Sequence, residues 1–149
     1  GRLVLLHDPA SSDAWDGTLR LVGYATVDVD PEMAEDPMLP DVCWSWLLDA
    51  LAERGARHTA AAGTVTQTTS RRFGDLAGPQ TTAELELRVS WTPIPEPARA
   101  GRAAAWTDVG CHLLAWADML CTAAGLPPPG VAVLPAPPEP AARSGPRGH

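Results

Sequence analysis

"TTAELELRVSW", residues 81–91, decides the fold of this chain. Ala83, Leu85, Leu87, Val89 and Trp91 alternate with Thr82, Glu84, Glu86, Arg88 and Ser90. A period of two with one apolar face describes a half-buried antiparallel strand, and its dry face requires a covering layer.

Upstream, residues 18–29 repeat the pattern, with Leu19, Leu21, Gly23, Ala25, Val27 and Val29 on one face. Arg20, Tyr24, Thr26 and Asp28 lie on the other. Leu3 to Leu6 reads as a shorter apolar strand, separated from it by a long loop that ends in the turn-forming Asp16-Gly17. The Thr-rich stretch from His58 to Phe73 has strand propensity but a weak apolar face, and a loop at 74–80 joins it to the decisive strand.

Two helices supply the cover. The first is expected from about Pro40 to Arg54, after the capped turn "DPEMAEDP" and before Gly55, with Trp44, Leu47, Leu48 and Leu51 as its apolar stripe. Asp49 and Glu53 lie opposite, and Trp46 falls beside Glu53 on that polar face. The second is expected from about Thr107 to Ala124, with Val109, Leu113, Trp116, Ala117 and Leu120 toward the core. The order β-β-α-β-β-α is that of an α+β domain with two layers: an antiparallel sheet of about four strands and two helices on one face. We expect one domain over residues 1–126, with a flexible connection at 93–105. Residues 127–149 contain eight prolines and read as a mostly disordered tail. The chain enters a strand directly after Gly1, without an initiating Met, so an N-terminal truncation is expected.

Net charge is −7, and residues 1–53 hold eleven acids against Arg2 and Arg20. That third carries −9 and leaves about +2 elsewhere, so an extended phosphate-binding face is not expected and an acidic surface suited to a basic protein partner is. All eleven basic residues are Arg, with no Lys or Asn, a composition that points to a high-GC genome. No apolar run of eighteen residues occurs, so no membrane span is expected. Cys43, Cys111 and Cys121 form no CxxC pair and have no His at ligand spacing, which argues against zinc. On one helix, Cys111 and Cys121 would lie about 15 Å apart, beyond disulfide reach. They read as small core or shoulder residues in a reducing cytoplasm.

The sequence has no GxGxxG, P-loop or GxSxG element. His7, Asp8, Asp13 and Asp16 in "HDPASSDAWDG" could ligate a divalent cation, but the loop lacks an EF-hand pattern and the same residues are ordinary turn formers, with Trp15 packing the loop down. Asp108 and His112, four apart on the second helix, could touch as an acid-base pair. Cys111 and His112 are adjacent, so their side chains diverge. Arg71-Arg72 is a local basic pair to which a nucleic-acid accessory role could attach. Trp46 is the informative exception, a large apolar side chain placed among acids. It suits either cover by another part of the chain or a contact with a partner or second copy.

"GRLVLLHDPASSDAWDG" (1–17), "DPEMAEDPMLPDVCWSWLLDAL" (30–51), "AELELRVSWTP" (83–93) and "HLLAWADMLCTAAGLPP" (112–128) occur in order. Together they resemble, over about residues 1–129, an actinobacterial family known only as a domain of unknown function, number 3000 in that series. The resemblance implies no activity, substrate or catalytic residue. It implies a longer N-terminus with a further helix and strand, hence an order similar to type III secretion chaperones and related proteins that bind other proteins and often dimerise.

The expected function is a non-enzymatic, cytoplasmic, protein-binding or chaperone-like accessory module. Trp46, Asp49 and Glu53 form its contact surface, it uses no cofactor, and its partner is a protein or a second copy of the chain. The alternatives are a metal-dependent enzyme built on the His7, Asp8, Asp13 and Asp16 loop, or a nucleic-acid-processing accessory protein.

Overall fold

A computed structural model describes residues 1–76, 78, 80–94 and 109–127. Four strands, β1 (Arg2–Ser12), β2 (Gly17–Val29), β3 (His58–Arg71) and β4 (Thr81–Pro93), form one antiparallel sheet in the order β1-β2-β4-β3. Helices α1 (Leu39–Glu53) and α2 (Val109–Ala123) complete the order β-β-α-β-β-α. The fold is α+β, as the alternation in β4 requires. The expected tail and most of the 93–105 connection lie outside the described residues, as do Thr107 and Asp108 at the expected start of α2.

β4 is central because both of its faces obey the pattern. Ala83, Leu85, Leu87, Val89 and Trp91 are buried, and the last four share a core with Leu21 and Ala25 of β2, Cys43, Leu47 and Leu51 of α1, and Ala115, Trp116 and Met119 of α2. Burial on this scale is the main favourable term in folding. Trp116 lies so close over Gly23 that a Cβ there would meet its ring at 2.8 Å.

α1 begins after a turn in which Asp30 Oδ1 accepts from the Glu32 amide and Asp36 Oδ1 from the Met38 amide. It stops at Gly55, whose φ of +62° lets Ala56 N–H reach the Leu51 carbonyl at 2.8 Å and Gly55 N–H reach Ala52 at 3.0 Å. α2 ends in the same way at Gly125.

Two expectations are corrected. β1 does not stop at Leu6, and the stretch expected as a long loop is mostly strand, with a turn of only four residues at Asp13–Asp16. Pairing is regular from Arg2↔Tyr24 to His7↔Leu19, shifts register, and resumes at Ser12↔Gly17. The shift lets Pro9, which has no amide to donate, stand inside a strand. The stripe of α2 is also rotated: His112, Ala115, Trp116 and Met119 are buried, while Leu113 is 56% exposed. Nearly the whole circumference of α2 is apolar, so its periodicity selects no face, and contact with Trp91 decides.

Candidate functional site

The β1–β2 end of the sheet tests the His7 to Asp16 candidates. His7 stands exposed on β1. Asp8 Oδ1 accepts from the Ala10 amide at 3.0 Å, Asp13 lies in the turn, and Asp16, at φ +56°, accepts the Thr59 hydroxyl at 3.1 Å. Among the described residues no three His, Cys, Asp or Glu side chains come together as a metal site would need. The turn instead folds over the sheet, where the Thr92 hydroxyl donates to the Trp15 carbonyl. Arg20, expected on the wet face, is buried beneath it and donates to the Ala60 carbonyl, Thr92 Oγ1 and Ser90 Oγ at 2.9, 3.1 and 2.7 Å.

The same open face carries a small charged cluster. Arg2 and Arg88 flank the Tyr24 ring, their guanidinium carbons 5.5 and 5.8 Å from its centroid. Tyr24 Oη donates to Glu86 Oε2 at 3.0 Å, and Arg88 Nε donates to Glu86 Oε1 at 2.7 Å. These bonds hold the Glu86 carboxyl below its ordinary value and raise the Tyr24 phenol above 10.0. The contacts close the cluster on itself. Arg71 and Arg72 lie at the β3–β4 connection, where the Arg72 amide bonds the Gln80 carbonyl at 2.8 Å.

The core accounts for two more titratable candidates. His112 is buried, and its Nδ1 accepts the Trp91 indole N–H at 3.0 Å. Asp108, its expected partner, lies outside the described residues. Burial pushes the Cys43 thiol up to about 11, so it stays protonated at neutral pH and is a poor nucleophile.

On the outer side of the helices a different arrangement appears. Trp46, Asp49 and Glu53 are three and four residues apart on α1, which places them within about 60° of one another around its axis. Together with Ala50, Arg54, Asp118 and Thr122 they line an open groove of about 390 Å³ between α1 and α2. Trp46 is half-buried there and packs partly against the core. Arg54 spans the groove and donates from Nε to Asp118 Oδ2 and from Nη2 to Asp118 Oδ1, at 2.5 and 2.9 Å. Asp118 thereby holds the Arg54 guanidinium above its ordinary value. Asp49 and Glu53 are exposed and make no hydrogen bond or ion pair among the described residues.

Spacing on α1 brings Trp46 beside Asp49 and Glu53, but it does not show the second wall. Arg54 and Asp118 are 64 residues apart in sequence. The available signal is that Asp118 is the single carboxylate of the otherwise apolar α2.

The model of DUF3000, a family described as a protein of unknown function, matches residues 1–132. No curated protein and no solved structure matches the chain. No helix among the described residues is long and apolar enough to cross a membrane.

Proposed function

The chain belongs to that family of unknown function, and from this premise we propose that it is a non-enzymatic protein-binding module, an accessory or chaperone-like unit. It receives its partner in the groove between α1 and α2. The observation that carries this reading is the half-buried Trp46 indole lining an open groove edged by Asp49 and Glu53. Partly exposed Trp side chains in such settings are the residues that most often dominate a protein interface. The Arg54–Asp118 pair presets the groove before a partner arrives, which limits the entropy cost of association. We place this activity in the cytoplasm, in keeping with three cysteines of which none is in a disulfide.

The test is recovery of associated proteins by the full-length chain in its native host, with Asp49→Arg/Glu53→Arg compared with wild type. Both positions are exposed, so the fold should survive. Selective loss of a companion by the folded variant supports the reading, and unchanged companions, or none, oppose it.

A further inference from the structure

We propose that the groove between α1 and α2 recognises an arginine side chain in a basic segment of its partner; the inference rests on the protein-binding reading above and specifies its chemistry. Charge is the first argument. Among the described residues, three carboxylates, those of Asp49, Glu53 and Asp118, line the groove against one guanidinium, that of Arg54. Arg54 gives its two parallel hydrogen bonds to Asp118 and only a through-space attraction to Glu53, so the carboxylates left without a hydrogen-bonded partner among the described residues are Asp49 and Glu53. They stand one helical turn apart on the exposed rim and present acceptors to a single incoming cation.

Shape is the second. A guanidinium is planar, spreads its donors in a fork that matches carboxylates, and stacks on aromatic faces, whereas an ammonium is a compact and strongly hydrated point charge. The groove offers both kinds of surface within one α1 face: the Trp46 indole and, three and seven residues on, the two carboxylates. It already holds one guanidinium by a carboxylate fork, that of Arg54 on Asp118. A volume of about 390 Å³ is enough for a long side chain with part of its backbone.

The experiment titrates the full-length protein with a blocked tetra-arginine peptide, and with tetra-lysine and tetra-glutamate of the same length, while the six Trp indole N–H resonances are followed by NMR. Trp46→Phe assigns its own signal. The expected result is a tetra-arginine-dependent shift of the Trp46 signal, weakened about tenfold by Asp49→Asn/Glu53→Gln, as the loss of two charge-assisted contacts implies. The charge-matched control Asp30→Asn/Glu32→Gln, at exposed positions before α1, should change it less than about twofold.

Equal weakening by both double variants means diffuse attraction to an acidic chain and overturns the inference, as does equal binding of tetra-lysine. A native partner lost by Trp46→Phe but kept by Asp49→Asn/Glu53→Gln overturns the arginine assignment alone. If neither variant alters a native association, the protein-binding reading fails with it.

Discussion

The indole N–H of Trp91 donates to Nδ1 of His112 across 3.0 Å in the centre of the core, tying β4 to α2. An indole nitrogen can only donate, so Nδ1 must accept and the neutral imidazole carries its proton on Nε2. The ring of Trp116 lies 6.3 Å from Trp91 on the same helix face, so one bond and two ring contacts set the rotation of α2 over the sheet.

His112→Phe keeps most of the volume but removes the acceptor and strands the Trp91 donor in the core. Urea unfolding should show a loss of about 1–3 kcal/mol. Adding Trp91→Phe to that variant should cost less than the same change in wild type, because the stranded donor is gone. A loss below about 0.5 kcal/mol for His112→Phe would contradict the buried bond.

Two glycine-to-alanine changes should have opposite signs. At Gly63 a Cβ would lie 2.5 Å from the Arg88 carbonyl oxygen, with Val89 and Trp44 at 2.9 and 3.0 Å. Backbone cannot yield cheaply, so Gly63→Ala should destabilise by about 1–3 kcal/mol. Gly110 lies in α2, and a methyl group there would meet no described residue within 4 Å, so Gly110→Ala should stabilise by about 0.5–1 kcal/mol. Thermal melts of both variants decide the matter, and stabilisation by Gly63→Ala would refute the close approach of the β4 backbone at Arg88 to Gly63 of β3.

The Tyr24–Glu86–Arg88 cluster makes a pH prediction. Glu86 is held below its ordinary value first by Arg88 and then by Tyr24, so its contribution to stability is present above the unfolded carboxyl range, about 4.3, and is lost as pH falls through the folded value. Wild type and Glu86→Gln should therefore differ in stability at neutral pH and converge in acid. Tyr24 shifts the opposite way: its phenol is raised above 10.0, and the stability it contributes is lost as pH rises through that folded value. Because Tyr24 is the one tyrosine in the chain, absorbance titration reads it directly, and Glu86→Gln should bring it back toward 10.0. An unmoved phenol titration would show that the Tyr24–Glu86 bond does not form in solution.

The Arg54–Asp118 pair is bidentate but lies near the surface, with side-chain exposures of 36% and 13%. Asp118→Asn should lower the melting temperature at low salt, and the difference should shrink at about 1 M salt, where screening is strong. A difference that survives high salt would mean that packing, not charge, holds the groove.

What is legible in the sequence follows from where local pattern and tertiary contact agree. β4 and α1 can be read because Leu85, Leu87 and Trp91, or Leu47 and Leu51, have polar neighbours at the alternate positions. α2 can be read as a helix but not oriented, since His112, Leu113 and Leu114 offer comparable apolar bulk and only Trp91 on a distant strand distinguishes them. β1 reads too short because Asp8, Pro9, Ser11 and Ser12 have turn chemistry, which a register shift absorbs. Trp46, Asp49 and Glu53 can be grouped by helical spacing, while Asp118 and the groove itself depend on how α1 meets α2.

Amide hydrogen exchange of the full-length protein, alone and with a partner recovered from its host, tests the central claim most directly. Docking in the groove predicts added protection along the outer turns of α1 from Trp46 to Arg54 and at α2 from Asp118 to Thr122, with the sheet unchanged. Protection confined to the β1 or β3 edge, or to the open face around Tyr24, would place the partner elsewhere and contradict the account.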